Sequence, residues 1–487
     1  MKLLKDILYG VPIEQVEGST NTAIEQVAFD SRAVKPLTAF VAVPGTRADG
    51  HDFIEKAVAA GASAILCERM PERFADGVAY VRVKDAAEAL GLVAANFHDH
   101  PSKRLSLIGI TGTNGKTSVA TLLFRLFRAL GTKCGLISTV ETRIGQKAIP
   151  STHTTPDAVQ LNELLAAMVE AGVTHCFMEV SSHSVVQHRV TGLRFAGGVF
   201  TNITHDHLDY HGTFAEYIKA KKRFFDGLPS TAFALVNADD PNSAVMVQNT
   251  RAAKRSYAVR SLADHHARII ENQLTGLHLN VDGHDLYARL VGEFNASNLL
   301  AVYSTALLLG QKPLDVLTAL SDLEPPRGRF QVVRGPSGAL GIVDYAHTPD
   351  ALRNVLETIN AVCGGDERVI TVVGCGGDRD RAKRPEMARI AAALSAVVVL
   401  TSDNPRSEEP MSIIEGMRAG VPAGDQGRVF VNADRREAIR QAVGMARPGD
   451  VVLLAGKGHE TYQEIMGVKH PFDDAAVLKE TLELLHK

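Results

Sequence analysis

Ile108-Gly109-Ile110-Thr111-Gly112-Thr113-Asn114-Gly115-Lys116-Thr117 is the stretch from which the fold is read. Residues 105–110 form a short apolar run that reads as a buried strand. A glycine-rich turn follows, and residues 118–130 read as a helix. Strand, flexible turn and helix N-terminus make a phosphate cradle, because the first free N–H groups of the helix point at the anion. Lys116 would reach the outer phosphates and the Thr117 hydroxyl would ligate Mg²⁺. The spacing departs from G-x-x-x-x-G-K-[ST]. Its first glycine position falls on Ile110, with Gly109 one place early and Gly112 two places late. A nucleotide site is expected here; the reaction it serves must be read elsewhere in the chain.

Outward from this loop, short apolar runs recur at 134–138, 175–180, 197–201 and 232–236, each separated from the next by helical or loop sequence. That alternation predicts a doubly wound, mostly parallel sheet. Ligands of such sheets sit at the carboxyl ends of the strands. Polar groups stand at those ends: Ser138-Thr139, Glu179-Val180-Ser181-Ser182-His183 and Asn202-Ile203-Thr204-His205-Asp206-His207-Leu208-Asp209. Glu179, directly after an apolar strand, reads as a metal ligand more than as a surface carboxylate. His207 is a further candidate ligand, with His205 and His211 close by as competitors. Lys221 sits in Ala220-Lys221-Lys222-Arg223-Phe224-Phe225, where a cationic pair by itself reads as a solvated helix face. Asn295 and Asn298 share a helix face, which suits either an adenine edge or helix capping.

The chain has 487 residues, enough for three domains. We expect a small α/β domain over 1–102, a central P-loop domain over 103–331 and a Rossmann-like α/β domain over 332–487. In the first, residues 39–43 and 64–67 read as strands, and 51–60 and 86–98 as helices. Its polar groups Asp30-Ser31-Arg32 and 45–51 read as turn chemistry or as a binding loop. In the last, strands are read near 341–343, 369–373, 397–400, 429–431 and 451–454, and polar groups stand at the ends of four of them. The groups are Asp344-Tyr345-Ala346-His347, Gly374-Cys375-Gly376-Gly377-Asp378-Arg379, Asp403-Asn404-Pro405-Arg406 and Gly456-Lys457-Gly458-His459-Glu460. Arg379 and Arg406 would grip a carboxylate bidentately and Glu460 would receive an ammonium, which suits an amino-acid zwitterion with a carboxylate to spare.

A net charge of −3 gives no electrostatic case for nucleic acid or an anionic membrane surface. No apolar run approaches the ~20 residues of a membrane span. The first six residues carry no signal-peptide pattern, and the five scattered cysteines read as free thiols, so a cytoplasmic location is expected. Nothing in the sequence sets an oligomeric state, and a monomer is the default.

Taken in order over essentially the whole chain, these motifs resemble the Mur ligases, the ATP-dependent amino-acid-adding enzymes of peptidoglycan synthesis. Thr111-Gly112-Thr113-Asn114-Gly115-Lys116-Thr117 is similar to their phosphate loop, which accounts for the altered glycine spacing. Asp30-Ser31-Arg32, Thr154-Thr155-Pro156, the Glu179 and Asp206 groups and Asp403-Asn404-Pro405-Arg406 resemble the branch that joins meso-diaminopimelate to UDP-MurNAc-L-Ala-D-Glu. His153 stands where that branch more often has Asn. The resemblance implies ATP contacts at Gly112, Thr113, Asn114, Gly115, Lys116, Thr117, Asn298, Arg329 and Asp344. It implies UDP-substrate contacts at Ser31, Thr154, Thr155, Ser181, Gln187 and Arg189. It implies an amino-acid pocket of Arg379, Asp403, Asn404, Pro405, Arg406, Gly456 and Glu460. It also implies that Lys221 is carbamylated and joins Thr117, Glu179 and His207 around Mg²⁺, with Lys116, Lys221, Glu179 and His207 as the catalytic set.

The implied reaction transfers the ATP γ-phosphoryl to the D-glutamate carboxylate, and the amine of diaminopimelate displaces phosphate from the acyl phosphate. Closure of the last domain onto the middle one before chemistry is expected. The rival readings are a ligase of this fold adding L-lysine, a folylpolyglutamate synthetase, and a non-catalytic ATP-binding protein. Lysine lacks the carboxylate for Arg406, a synthetase leaves Asp30-Ser31-Arg32 unexplained, and the intact Lys116, Glu179, His207 and Lys221 argue against lost catalysis.

Overall fold

The computed structural model describes every residue except Thr46, Arg47, Thr152, Gly364, Asp366 and the side chain of Asp209. The polar group at 45–51 thus falls partly outside the described residues. Three sheets organise the chain. The first has strands Ile13–Glu17, Ala79–Val83, Ala62–Cys67, Thr38–Val41 and Gln26–Ala28 side by side, all parallel except Ile13–Glu17. Three of these strands were not predicted. Ile13–Glu17 is mostly exposed, Gln26–Ala28 is three residues long, and neither forms the apolar run that betrays a buried strand. The predicted helix over 51–60 begins as a 3-10 turn, Gly50–Phe53, and is α-helical only over Ile54–Ala59.

The central sheet has eleven strands. Its middle runs Cys134–Ile137, His175–Glu179, Ser106–Thr111, Gly197–Phe200, Phe233–Asn237 and Ala253–Ala258, all parallel. The chain starts at Ser106–Thr111, builds one side, then crosses to build the other. The crevice at that reversal is where open α/β sheets bind ligands. It also makes the strands ending at Glu179 and at Phe200 the two neighbours of the strand that feeds the phosphate loop. Both edges depart from the parallel pattern: Thr142–Ile144 and Lys147–Ile149 at one, Gly276–Val281 and His284–Ala288 at the other, are antiparallel hairpins.

The helix after the loop, Lys116–Ala129, starts two residues earlier than predicted. Its apolar face buries Val119, Leu122, Leu123, Leu126 and Phe127 in the core beneath the sheet. Ile110 lies in the strand and is itself fully buried there. The turn begins only at Gly112, where a Cβ would collide with the Thr201 hydroxyl. The altered glycine spacing therefore has a local cause: position 110 serves the core, and the tight approach falls at 112.

The third sheet orders Gln331–Arg334, Leu340–Asp344, Val451–Ala455, Val369–Val373, Val397–Leu400 and Val429–Val431, parallel except for the first strand. The loops that follow Asp344, Ala455, Val373 and Leu400 therefore open along one rim, although they are far apart in sequence.

Candidate functional site

Gly115 sits at φ +85°, and a Cβ there would stand 2.6 Å from Asn298 Oδ1, so the turn is closed against the helix Glu293–Leu308. Lys116 Nζ donates to the carbonyls of Gly112 and Thr113, both at 2.8 Å. Lys221 Nζ donates to the same Gly112 carbonyl at 2.8 Å and is buried. The predicted solvated helix face is thus corrected for Lys221: it points into the loop, over the Tyr217 ring. Burial, reinforced by the neighbouring Lys116 charge, pushes its ammonium well below the ordinary lysine range. Burial also lowers Lys116, against the pull of Glu179 and Asp206.

Glu179 is buried at its strand end, with Oε1 accepting the Thr139 N–H at 2.7 Å. Thr139 Oγ1 lies 3.2 Å from Glu179 Oε2 and 3.0 Å from Thr154 Oγ1. Thr155 Oγ1 donates to the Glu179 carbonyl and accepts from the Ser181 N–H. Arg189 donates to the Thr155 carbonyl at 2.7 Å and to Gln187 Oε1 at 2.6 Å. Thr154, Thr155, Ser181, Gln187 and Arg189 are thereby one hydrogen-bonded group on the Glu179 side of the loop. Ser31 lies between two strands of the first sheet, in the 3-10 turn Ser31–Ala33, where Asp30 caps the turn and pairs with Arg32.

His207 takes a left-handed φ of +54° beside Asp206, with Nε2 3.4 Å from Asp206 Oδ2. Desolvation by the groups around it lowers its pKa to about 4, although 42% of the side chain stays exposed. Asp206 is pushed up by burial, yet the charges of His207, His347 and Lys116 hold it below the usual carboxylate range.

The third domain and the segment that leads into it reach this loop at one point each. Arg329 Nη2 donates to Thr117 Oγ1 at 3.1 Å, while the guanidinium lies over the Tyr345 ring. Asp350 Oδ2 accepts from Asn114 Nδ2 at 3.2 Å and from Thr204 Oγ1 at 3.0 Å. Asp344 Oδ2 accepts the Phe330 N–H at 2.7 Å, and burial raises its pKa against the Arg329 charge. Among the described residues, Arg329 Nε and His459 Nδ1 are buried without a hydrogen-bond partner. The Arg329 Nε–H is a donor, costly to leave unpaired when buried, and an anion seated there would satisfy it.

Along the third-domain rim, Asp403 and Asn404 are buried, and Arg406 Nη1 donates to the Gly377 carbonyl at 2.8 Å. A Cβ at Gly376 would lie 2.8 Å from Arg406 Nη1 and 3.8 Å from the exposed Arg379 stem, so both cations flank that glycine. Gly456, at φ +113°, lets the backbone pass Asp403 where a Cβ would meet Oδ2 at 2.8 Å.

Residues 23–98, 110–306 and 328–458 match family models described as Mur ligase family, catalytic domain; Mur ligase middle domain; and Mur ligase, glutamate ligase domain. Over 485 residues the chain is 55% identical to the UDP-N-acetylmuramoyl-L-alanyl-D-glutamate--2,6-diaminopimelate ligase of Cytophaga hutchinsonii, covering 99% of this chain and 100% of that protein. The chain belongs to the Mur ligase family. The Mur ligase of the same description from Bacteroides fragilis is 53% identical over 99% of each chain. A solved structure of a ligase so described superposes with a TM-score of 0.71 at 32% identity, over 100% of this chain and 99% of the other.

In this Mur ligase the main residue missed by sequence reasoning is Lys457. It is fully buried, with Nζ 3.0 Å from Asn404 Oδ1, 3.2 Å from Glu460 Oε2 and 3.4 Å from Asp403 Oδ1. Asn404 Nδ2 also donates to Glu460 Oε2 at 2.7 Å. Glu460 thus already faces an internal ammonium, where the sequence left it free for a substrate's. Two carboxylates face the one lysine, and burial and the Asp403 charge raise the Glu460 pKa against the pull of Lys457. Lysine between two glycines after an apolar strand was the signal available. Asp350, in a helix first turn, carried no signal at all.

Among the described residues, no three His, Cys, Asp or Glu side chains gather as a metal cluster. Of the expected ligands, the Thr117 hydroxyl and the buried Glu179 carboxylate are hard oxygen donors of the kind Mg²⁺ takes, whereas the His207 imidazole is a nitrogen donor that Mg²⁺ does not favour.

The loop that carries Arg379 is fastened by Glu408. Its carboxylate accepts from Arg384 Nη2 at 2.8 Å and from the Asp378 N–H at 2.7 Å, and it faces Arg381. The Arg384 bond first, then the backbone bond, holds its pKa at about 2 against an ordinary 4.5. A depressed folded-state pKa contributes stability that is present above the ordinary value and lost as pH falls through the folded one. Glu408→Gln is therefore expected to flatten the stability curve between pH 4.5 and about 2, measured as thermal midpoint against pH for both proteins.

Proposed function

We propose that the chain is an ATP-dependent ligase that joins meso-diaminopimelate to UDP-MurNAc-L-Ala-D-Glu during peptidoglycan precursor synthesis. What supports this reading is the contact between the phosphate loop and the third domain, Asn114 with Asp350, together with Arg329 on Thr117 at the approach to that domain, which bring the loop near the rim read as the amino-acid pocket. The full-length relatives support the choice of substrates.

A carboxylate does not condense with an amine at neutral pH, because its leaving group is poor. Transfer of the ATP γ-phosphoryl to the D-glutamate carboxylate gives an acyl phosphate and ADP. The neutral amine of diaminopimelate then attacks the acyl carbon, and phosphate leaves with the bonding pair. Lys116 offsets negative charge as the phosphoryl group moves. Asn298, Arg329 and Asp344 position the nucleotide. The group Thr154, Thr155, Ser181, Gln187 and Arg189, with Ser31, orients the UDP-muramoyl peptide. Thr117, Glu179, His207 and Lys221 as its carbamate would hold Mg²⁺, which supplies positive charge beside the phosphates. The low ammonium pKa of Lys221 supports that modification, since only a neutral amine adds to CO₂. Arg379, Asn404 and Arg406 receive the second carboxylate of diaminopimelate, and the Asp403–Glu460 cluster receives its distal ammonium.

The test is phosphate release by the purified protein. Release is expected to require both the UDP-dipeptide and diaminopimelate, and L-lysine is expected to be a poor substitute, because the unmade Arg406 contact costs about 1.5–3 kcal/mol. Equal use of lysine would overturn the specificity. Release without the UDP-dipeptide would overturn the reaction.

A further inference from the structure

The hairpin Tyr462–Ile465 and Val468–Pro471 stands on the surface, beyond the residues assigned to the site above. Its turn, Met466-Gly467, has positive φ at both positions, the mirror-image geometry that suits two-residue hairpins. Met466 and Val468 project into solvent, so the hairpin buries little by which to hold itself down. Its inner strand is instead stitched to one loop. Gln463 Nε2 donates to the Asp403 carbonyl at 2.8 Å, and the Glu464 N–H donates to Asn404 Oδ1 at 2.9 Å. The Arg406 N–H donates to the Glu464 carbonyl at 3.0 Å, and the Met466 N–H donates to the Arg406 carbonyl at 2.6 Å. The Glu464 carboxylate lies 3.7 Å from Arg406 Nε.

Arg406 has a left-handed φ of +54°, a conformation that non-glycine residues hold only where their surroundings impose it. The hairpin supplies that constraint through the backbone and aims the guanidinium through Glu464. Gly377 takes Nη1, Glu464 faces Nε, and Nη2 donates no hydrogen bond among the described residues. One edge of the fork is thus fixed and the rest is left for a ligand.

From this geometry we infer that the hairpin is a specificity element, and that Glu464 is a positioning residue that pre-orients Arg406 for the second carboxylate of the incoming amino acid. The inference rests on the reading of Arg406 given above. It makes a distinctive demand: loss of Glu464 must be felt by a substrate carrying that carboxylate, and only while Arg406 is present. A residue that merely stabilised the domain would affect every substrate alike.

The experiment measures phosphate release for wild type, Glu464→Ala, Arg406→Ala and the double variant, varying diaminopimelate, L-lysine and ATP in turn. Glu464→Ala is expected to raise KM for diaminopimelate about five- to tenfold, a usual size for coupled neighbours, with kcat and KM for ATP within about twofold. Its effect on lysine, and its effect in the Arg406→Ala background, should each be less than about twofold. A KM for diaminopimelate that is unchanged or lower would overturn the inference, as would equal losses in both backgrounds. Glu464→Gln, which keeps the side-chain volume, serves if the alanine variant has a lowered thermal midpoint, and must show the same dependence on Arg406. Wild type that releases no phosphate with diaminopimelate would instead remove the proposed function, so the two failures are distinguishable.

Discussion

Lys116→Met is expected to lower kcat by about 10²–10³-fold, the usual cost of removing one preorganised group that meets developing charge. The side chain is built for this. Its stem rises from the first turn of Lys116–Ala129, and its ammonium rests on the Gly112 and Thr113 carbonyls at 2.8 Å, already inside the loop. It therefore needs little reorganisation when phosphate arrives. Methionine keeps the stem and removes the charge, so the fold and the UDP-substrate site should survive. A planar guanidinium cannot reproduce a compact ammonium between two carbonyls, so Lys116→Arg should not rescue the rate. Initial rates of phosphate release at saturating substrates, with thermal midpoints as a folding control, check both variants. A kcat within tenfold of wild type would remove Lys116 from phosphoryl transfer.

The second large effect is on stability. Arg435 and Asp474 form an ion pair whose side chains are both fully buried, through Nε–Oδ1 at 2.8 Å and Nη2–Oδ2 at 2.6 Å. Burial works against the Arg435 charge, and Asp474 more than offsets it. Asp474→Ala leaves that charge without its partner and is expected to cost about 3–5 kcal/mol, whereas replacing both partners by apolar residues is expected to recover most of the loss. The denaturant midpoints of Asp474→Ala and of the Arg435→Met/Asp474→Leu double variant measure this. A single variant as stable as wild type would show that the pair is dispensable. Arg435 Nη2 also donates to the Ala455 carbonyl at 3.1 Å, at the root of the loop that carries Gly456, Lys457 and Glu460. The single variant should therefore also raise KM for the amino acid.

How far the site could be read in advance depended on the range of the interaction. Lys116 and Thr117 were legible because a glycine turn opening a helix is a local arrangement. The place of Glu179 at a buried strand end was legible because a carboxylate closing an apolar strand is conspicuous; the metal-ligand role read from it belongs to the proposal. Lys221 was not legible from its own surroundings, since a Lys-Lys pair on a helix looks solvated, and only the contact with Gly112 shows which of the two turns inward. Glu464 could not be found at all. Its importance comes from lying beside Arg406, 58 positions earlier in the chain.

By itself, the sequence determined the α/β class, the phosphate loop, the order of the polar strand ends and, through their resemblance, the family. These follow from periodicity and turn chemistry, which are properties of neighbours in the chain. Only the tertiary structure decided which strand ends share a rim, that Ile110 belongs to the core, that Lys457 sits among Asp403, Asn404 and Glu460, and that a surface hairpin is hydrogen-bonded to the Arg406 backbone. Those outcomes depend on sheet order and register. They bring together residues tens to hundreds of positions apart, and whether a charge is exposed, paired or buried is settled only once those neighbours are in place.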